Sequence, residues 1–221
     1  QEKMKICDPT CGSGGMLIDA KNYVESRYGD GSRLSFAGQE SNGTTWSLCK
    51  MNMLFHDIFD AEILQGDTVA DPQHVDNGEL KRFDIVIANP PFSENYSDIK
   101  NHRDRFHFWM PKKKKADFMF VQHMVSVLKD DGRMAVVMPH GVLFRGSEEK
   151  SMRQWLVERG YLEAVIGLPS GLFYGTGIPA SLLVINKKGA GSRNEVMFIN
   201  ADREYKEGKN QNKLRPEDIA K

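Results

Sequence analysis

Short apolar runs alternate along the chain with longer segments in which apolar residues recur at helical spacing. Short runs bounded by turn residues predict buried strands, and the longer segments predict helices. The predicted strands are residues 4–7, 35–38, 62–65, 84–88, 134–138, 162–167 and 181–186, with an optional eighth at 195–200. The predicted helices are residues 15–28, 44–56, 117–128 and 148–158, the last with Ser147 as its N-cap and Gly160 as its C-terminal stop. This alternation predicts an α/β fold with a largely parallel sheet.

Two stretches match no regular element, residues 93–115 and the polar tail 201–221. At 221 residues the chain fits one domain with a sizeable core. A structureless loop as long as 93–115 is uncommon inside a compact domain unless it is functional or mobile. We therefore predict a single domain over 1–221, with one long loop near its functional site.

Basic and acidic side chains balance over the whole chain, with 30 of each. Contact with nucleic acid therefore requires a local patch rather than an overall positive charge. The loop 93–115 supplies one, because it holds seven basic and three acidic residues, a net charge of +4, with aromatic residues between them. Solvated surface without a partner is the competing interpretation. The residues of this loop predicted to contact DNA are Lys100, Arg103, Arg105, Lys112 and Lys113.

Cysteine usage and apolar segments indicate the compartment. Three cysteines without paired spacing predict a reducing environment, and they form no CxxC pair that would favour a structural metal site. No apolar run approaches the roughly 20 residues that cross a bilayer, and the first residues lack the apolar core of a signal peptide. We therefore predict a cytoplasmic protein without a metal. The absence of an initiator methionine before the first strand predicts a fragment of a longer protein.

A glycine-rich turn follows the first predicted strand in ICDPTCGSGGML, residues 6–17. Its glycines are predicted to let a ligand approach the backbone, because a Cβ would block it or forbid the required φ. The acid at the strand end would repel a pyrophosphate, and the dinucleotide pattern G-x-G-x-x-G is absent. S-adenosylmethionine suits this acid, since it carries an ammonium and a sulfonium but no phosphate; a turn that serves only packing is the alternative. The predicted donor-binding residues of the loop are Asp8, Thr10, Gly12, Ser13, Gly14 and Gly15.

Two further acids stand at the carboxyl ends of predicted strands. Glu40 ends the second strand in FAGQES and suits ribose hydroxyls, whereas Asp67 follows the third strand in LQGDTV and suits an adenine amino group. Taken singly, a solvated loop residue is the competing interpretation of Glu40, and a simple turn or helix-cap residue is that of Asp67. Parallel strands bring their carboxyl ends to one edge, so acids after three strands predict a nucleoside site, with Thr68 beside Asp67.

The sequence ANPPFSE, residues 88–94, interrupts the chain directly after the strand FDIVIA. Pro90 and Pro91 remove two backbone donors and fix two φ angles, so the strand cannot continue. The Asn89 amide oxygen and the Pro90 carbonyl are predicted to accept one N–H each from a planar exocyclic amine. These bonds draw the nitrogen towards tetrahedral geometry and aim its lone pair at a methyl donor, which Asn89 is also predicted to border. Phe92 is predicted to stack on the ring of the substrate.

These blocks, in this order, resemble an amino-methyltransferase of the adenine-N6 DNA type, and most closely the modification subunit of type I restriction-modification systems. The resemblance covers nearly the whole chain. It rests on DPTCGSGGML, GQE, GDT, ANPPF, ADFMFVQHMVSVLK and LPSGLFYGTGIPASLLVINK. It implies a seven-stranded sheet with a reversed last strand and helices on both faces, S-adenosylmethionine as donor and adenine in double-stranded DNA as acceptor. It also implies a specificity subunit and a restriction subunit as partners, and places Asp117 and Phe118 in the donor or target pocket.

Other functions stay open on the sequence. Related N-P-P-[FY] sites act on RNA bases or on a protein glutamine amide, although Phe92 rather than tyrosine disfavours glutamine. A methyltransferase-like scaffold that binds partners without turnover is a third candidate. The family also has a donor-contacting segment upstream of the first strand and a helical C-terminal region, neither of which this sequence contains. Inactivity of the chain by itself is therefore a further expectation.

Overall fold

The computed structural model describes residues 3–110, 116–173 and 177–220. The strands are β1 (Met4–Asp8), β2 (Leu34–Glu40), β3 (Glu62–Gln65), β4 (Val75–Asp76), β5 (Glu79–Leu80), β6 (Phe83–Ala88), β7 (Leu128–Pro139), β8 (Leu162–Gly167), β9 (Ala180–Asn186) and β10 (Met197–Asn200). The helices are α1 (Gly15–Tyr28), α2 (Gly43–Phe55), α3 (Asp117–Val127), α4 (Ser147–Glu158) and the short α5 (Pro216–Ile219). Short 3₁₀ turns occur at Arg103–Arg105, His140–Leu143 and Ala190–Ser192.

One mixed sheet organises these elements, in the strand order β10-β8-β9-β7-β6-β1-β2-β3. Strand β9 runs antiparallel to both neighbours, and every other pairing in this sheet is parallel. The predicted α/β class with a mostly parallel sheet is therefore confirmed. The sheet has eight strands rather than seven, because the optional strand at 195–200 forms as β10. The reversed strand is consequently followed by one more parallel strand and is not the last.

Two apolar clusters cover the two faces of the sheet. Alternate residues of a strand point to opposite faces, and Ile6 belongs to one cluster while Cys7 belongs to the other. Helices α1 and α2 contribute to the cluster of Ile6, whereas α3 and α4 contribute to that of Cys7. The expectation of helices on both faces is therefore confirmed. Helix α3 is the most enclosed, since nearly every one of its residues is buried.

A small hairpin of β4 and β5 was not predicted from the sequence. Its turn is Asn77-Gly78, and both residues have positive φ, 49° and 84°. Asn-Gly is the characteristic pair of a two-residue hairpin turn, because both positions require the left-handed region. The signal was present in the sequence, but the flanking strands are only two residues long and carry no apolar alternation.

The two stretches without predicted elements are more ordered than expected. Residues 93–110 hold a 3₁₀ turn and bury Tyr96, Phe106 and Met110, so this loop is packed against the core. The tail contains α5 and an isolated bridge between Lys206 and Lys213. None of the helices in the described ranges has the length and apolarity needed to cross a bilayer.

The ends of the four predicted helices lie within one residue of the observed ends, but the predicted N-cap of α4 is wrong. Helix α4 begins at Ser147 itself, with Gly146 in the N-cap position, so Ser147 is not the cap. Its backbone φ is +51°, which a non-glycine residue rarely adopts. The far end agrees with the prediction, because α4 ends at Glu158, before Gly160.

Gly160 provides a test of the packing between α4 and the 3₁₀ turn that follows β9. Its φ is +63°, and a Cβ there would overlap the carbonyl oxygen of Ala190. Gly189 has a similar φ of +70°, but its Cβ would meet its nearest atom, Ser192 Oγ, only at 3.9 Å. We expect Gly189→Ala to cost about 1–2 kcal/mol of unfolding free energy for the left-handed backbone alone. Gly160→Ala should cost clearly more in urea unfolding, and equal losses would contradict the overlap.

Candidate functional site

The strand order places a crevice at one edge of the sheet. The chain runs from β1 outward to β2 and β3, then returns to β6 on the other side of β1. Ligands of open α/β sheets bind at the carboxyl ends of the strands, where the order reverses in this way. A cavity of about 540 Å³ opens at that edge. The predicted site residues that line it are Thr10, Gly12, Glu40, Asp67, Thr68, Asn89 and Pro91.

The other predicted residues at these motifs do not line the cavity directly. Asp8, Gly14 and Pro90 are buried, whereas Ser13, Gly15 and Phe92 are at least partly exposed. The structure therefore brings together all three strand-end motifs after β1, β2 and β3 and the Asn-Pro-Pro turn after β6. In each motif some residues line the cavity, and the others lie next to them in the chain without lining it.

Asp8, the last residue of β1, is a buried carboxyl group that forms no ion pair with the described residues. Only 1% of its surface is exposed. Burial raises the pKa of Asp8, hydrogen bonding from Thr10, whose N–H lies 3.0 Å from Oδ1, opposes this, and the negative charge of Glu40 adds to the rise, so that the pKa is about 7. The Thr10 hydroxyl is also buried and has no hydrogen-bond partner within the described ranges. A cationic or polar ligand would satisfy both groups.

The three glycines of the loop have different structural roles. Gly12 has φ +53°, and a Cβ at this position would have no atom within 4 Å, so the backbone there faces open space. Gly14 has φ +87°, and a Cβ would overlap Met53 and Cys49 of α2, so packing rather than ligand approach requires this glycine. Gly15 has neither a positive φ nor a close neighbour. A φ that only glycine adopts readily is therefore present at Gly12 and Gly14, whereas open space beside the backbone is present at Gly12 and Gly15.

Glu40 connects the glycine loop to the start of α2. Its Oε2 accepts the backbone N–H of Gly12 at 3.1 Å, and its Oε1 accepts that of Asn42 at 2.8 Å. Asn42 in turn caps α2 by accepting the Thr45 N–H at 3.0 Å. The carboxylate is thus held at the cavity wall by two backbone donors. Each oxygen keeps further lone-pair capacity, because an ionised carboxylate accepts about four hydrogen bonds.

Asp67 stabilises the turn at residues 68–70, the role of a simple turn residue that the sequence left as a competing interpretation. Its Oδ1 accepts the backbone N–H groups of Val69 at 2.9 Å and Ala70 at 3.0 Å. Its neighbour Thr68 is buried, and its hydroxyl donates to the Pro9 carbonyl of the glycine loop. These bonds fasten the end of β3 to the end of β1. Asp67 remains on the cavity wall.

Arg105 was predicted to contact DNA, but this prediction is wrong because the side chain is buried in the protein. It is 4% exposed, and its guanidinium donates to the carbonyl oxygens of Thr68, Val69, Asn101 and His102. Burial lowers the pKa of Arg105 to about 10, still above neutrality. The guanidinium is not accessible to a phosphate. It joins the loop 93–110 to the segment that carries Asp67.

The Asn-Pro-Pro-Phe turn follows β6 as expected. Asn89 is exposed and lines the cavity, and its side-chain amide forms no hydrogen bond to the part of the chain that the structure describes. Pro90 is buried and Pro91 is exposed on the cavity wall. Phe92 is partly buried, and its ring meets that of Phe173 edge to face, with centroids 5.8 Å apart and planes at 77°.

Phe173 is a residue that the sequence analysis did not single out. It lies in the segment after β8, inside the block LPSGLFYGTGIPASLLVINK on which the family resemblance rests. Edge-to-face pairs at this separation are favourable. The partnership with Phe92 joins residues 81 positions apart in the chain, which no local pattern reveals.

Asp117 and Phe118 were expected to line the pocket, and neither does. Both are 1% exposed. Asp117 accepts the backbone N–H of Ser93 at 2.8 Å and the guanidinium of Arg145, which also bonds Glu149 at 2.7 Å. Ser93 directly follows Phe92 and has φ +53°, a conformation that is costly for serine and is held here by Asp117. The cavity-lining residue of α3 is Phe120.

The two other cations in the described part of the basic loop, Lys100 and Arg103, are exposed. Lys100 keeps 69% of its side chain exposed while lying 3.6 Å from Asp71, and Arg103 lies 5.3 Å from the ring centroid of Trp109. Lys112 and Lys113 lie outside the described residues. The prediction of DNA contact therefore rests on Lys100 and Arg103 within the described chain.

The geometry above combines a nucleoside-sized crevice, a glycine loop and an Asn-Pro-Pro-Phe turn at one sheet edge. The family model of the N-6 DNA methylases matches residues 1–221, the whole chain. The chain belongs to the N-6 DNA methylase family.

Curated relatives of this N-6 DNA methylase are methylase subunits of type I restriction enzymes. The MpnII methylase subunit of Mycoplasma pneumoniae is 33% identical over 228 residues, which cover 98% of this chain and 41% of the relative. The MjaVIII methylase subunit of Methanocaldococcus jannaschii is 34% identical over 232 residues, covering 98% of this chain and 39% of the relative. The chain thus spans about two fifths of the length of these relatives.

Solved structures agree with this family. The type I restriction-modification methyltransferase subunit of Streptococcus thermophilus superposes with a TM-score of 0.84 at 36% identity, over 100% of this chain and 47% of that one. The EcoKI M protein gives a TM-score of 0.77 at 27% identity, over 99% of this chain and 49% of that one. Both support the methyltransferase fold and a donor site for S-adenosylmethionine.

The buried carboxyl of Asp8 predicts how stability of this N-6 DNA methylase domain depends on pH. Its pKa of about 7 exceeds that of an unfolded aspartate, about 4, so the folded chain binds this proton more tightly. The contribution to unfolding free energy is full below about pH 4 and is lost as pH rises through about 7. We expect Asp8→Asn, which cannot ionise, to flatten this decline in urea unfolding measured across that range.

Asp84→Asn is a control of opposite sign. Burial alone would raise the pKa of Asp84, but hydrogen bonds from Lys129 and from the Lys5 backbone N–H outweigh it, so the pKa is lowered. This substitution should cost stability at neutral pH and less in acid. A wild-type pH slope that Asp8→Asn leaves unchanged would contradict the assignment of that slope to Asp8.

Proposed function

We propose that the protein transfers a methyl group from S-adenosylmethionine to N6 of adenine in double-stranded DNA, as the modification subunit of a type I restriction-modification complex. A specificity subunit would select the DNA sequence, and a restriction subunit would complete the complex. The observation that carries the proposal is the position of Asn89 and Pro91 on the wall of the crevice that Glu40 and Asp67 also line, with Phe92 directly after them in the same turn.

The crevice fits the proposed donor. A cavity of about 540 Å³ lies within the range of small-molecule sites, roughly 300–1,000 Å³. The buried Thr10 hydroxyl without a partner and the open space at Gly12 leave room and polarity for the methionine part. Glu40 would hold the ribose and Asp67 the donor's adenine. Bound there, S-adenosylmethionine supplies an activated methyl group.

Asn89 and Pro90 would prepare the acceptor. The Asn89 amide oxygen is exposed at the cavity, and the Pro90 carbonyl belongs to the same rigid turn. Each would accept one N–H of the target amine, so that its lone pair leaves conjugation with the ring. The prolines and the bond from Ser93 to Asp117 fix this turn beforehand, which reduces the ordering needed when the base arrives. No strong base is required, because the amine proton becomes acidic only after transfer.

The first test uses the full-length protein together with the specificity subunit encoded beside it, in a host that lacks DNA methylation. Single-molecule sequencing of the host DNA would reveal N6-methyladenine at one sequence motif. Modification of RNA or protein without any DNA signal would move the proposal to another acceptor. Failure to bind S-adenosylhomocysteine would favour a scaffold without turnover.

Asn89 and Asp8 should have separable effects on that reaction. Asn89→Ala removes an acceptor for the target amine, so we expect methyl transfer to be abolished while donor affinity stays nearly unchanged. Asp8→Ala removes support for the donor site, so donor affinity should fall first. Calorimetric titration with S-adenosylhomocysteine and transfer of a labelled methyl group measure the two. A large loss of donor affinity in Asn89→Ala would contradict its placement.

We propose that Phe92 stacks on the target ring and that Phe173 supports Phe92 in this position. Base–aromatic stacking contributes about 1–3 kcal/mol per base, so Phe92→Ala should weaken target binding by roughly tenfold to a hundredfold. Phe173→Ala should weaken it less, because it contacts Phe92 at the ring edge. Since the two rings touch, the double variant should lose less than the sum of the single losses in free energy. Phe92→Tyr keeps the ring and serves as the control; additive losses would contradict a shared pocket.

A further inference from the structure

Phe144 is an exposed aromatic residue that the proposed chemistry does not use, and it follows β7 at the same sheet edge as the Asn-Pro-Pro-Phe turn after β6. Its side chain belongs to the turn after β7, and 76% of the residue is exposed. A single exposed apolar side chain is ordinary on a protein surface and needs no explanation by itself. What distinguishes Phe144 is how firmly the chain holds the backbone on both sides of it.

The side chain of Arg153 anchors the turn that carries Phe144. Arg153 of α4 donates to the carbonyl of Val142 at 2.8 Å and to that of Arg145 at 2.7 Å. Val142 is fully buried, so the turn is also fixed by packing. The backbone N–H groups of Phe144 and Arg145 both donate to the Gly141 carbonyl, at 3.3 and 3.0 Å. The ring is therefore presented to solvent from a rigid base.

The same turn is bonded directly to the Asn-Pro-Pro-Phe segment. Arg145 donates to the buried carboxylates of Asp117 and Glu149, which are 1% and 3% exposed. Asp117 accepts the N–H of Ser93, the residue after Phe92. Two consecutive hydrogen bonds thus connect the residue after Phe144 to the residue after Phe92. Strands β6 and β7, which lead into the two segments, are neighbours in the sheet and end at the same edge.

Chemistry on a paired base requires that the base leave the duplex. Extrusion costs unstacking and unpairing energy and leaves a gap between the flanking base pairs. Proteins that distort DNA fill such gaps with apolar side chains inserted between base steps. A rigidly held, exposed phenylalanine at the same sheet edge as the pocket has the shape and the position for this insertion.

We propose that Phe144 inserts into the base stack of double-stranded DNA at the place vacated by the target adenine, with Arg145 and Asp117 fixing its distance from the target pocket. This inference rests on the proposed methyl transfer to DNA. It adds a DNA-contacting residue, and it makes the Ser93–Asp117–Arg145 chain a positioning device for both the pocket and the inserted ring.

The experiment compares two duplexes that carry the motif mapped by sequencing. In one the target adenine is paired with thymine, and in the other it lies opposite an abasic site, where little unpairing remains to be done. The full-length protein with its specificity subunit is assayed in single turnovers with a labelled methyl donor. Phe144→Ala and Phe144→Leu are compared with wild type. Phe55→Ala is the matched control, since Phe55 is 75% exposed but ends α2, at the opposite edge of the sheet.

We expect Phe144→Ala to methylate the paired duplex roughly tenfold or more slowly than wild type, because the cost of extrusion is no longer offset by insertion. On the abasic duplex its rate should recover to near the wild-type value. Phe144→Leu keeps an apolar wedge and should lose less on the paired duplex, which also guards against a folding defect in the alanine variant. Phe55→Ala should match wild type on both.

Each other outcome has a defined meaning. Equal losses on both duplexes, or no loss on either, would overturn the proposed insertion. A loss that follows weaker assembly with the specificity subunit, measured by sedimentation, would show that a protein rather than DNA covers the ring and would also overturn it. If wild type methylates neither duplex, the proposed function itself fails, and this result is distinguishable because it precedes any variant.

Discussion

The parallel pairing of β1 with β6 is the constraint on which the site depends. Ile6 pairs with Ile85 and Cys7 with Val86, so the two strands end side by side. Thr10, two residues after the buried Asp8, and Asn89 are 79 positions apart in the chain and therefore line one crevice. Every other part of the site is arranged around this junction: Glu40 and Asp67 arrive from the strands on one side, and the segments of Phe144 and Phe173 from the other. Parallel pairing makes this inevitable, because it brings every carboxyl end to the same edge.

The two buried acids at this edge, Asp8 and Asp117, differ in whether a cationic side chain pairs with them. Asp117 receives the Arg145 guanidinium and a backbone N–H, so its charge is compensated inside the protein. Asp8 receives the Thr10 N–H, and its pKa is raised to about 7 by burial. A carboxylate whose charge is paired inside the protein suits a structural contact that stays the same with and without ligand. A buried carboxyl group without an ion pair suits a position where a cationic ligand supplies the missing partner, and it lowers the stability of the ligand-free protein.

The sequence predicted the fold and the edge at which the site lies, because strand periodicity and strand-end motifs are local signals. It could not decide which charged residues are buried. Arg105 and Arg103 are two positions apart in a basic loop, yet one guanidinium is enclosed by four backbone carbonyls and the other lies over an exposed tryptophan. Likewise, the side chains that leave no room for a Cβ at Gly14 belong to α2, and the aromatic partner of Phe92 lies after β8. Such facts depend on which distant segments meet, which composition and spacing do not encode.

The loop 93–110 contributes Glu94, Asn95 and Tyr96 to the crevice lining, and its anchors argue that it is a fixed wall rather than a lid. At its start, Ser93 is held by the buried acid Asp117; further along, Arg105 is held by carbonyls of the segment after β3. Between these anchors, Tyr96 is buried in the core. Opening this loop would leave a buried carboxylate without its backbone donor and strip a buried guanidinium of its acceptors, each a costly change. A fixed wall keeps Asn89 and Asp67 at a constant separation, and that separation is what a transfer between two bound ligands requires.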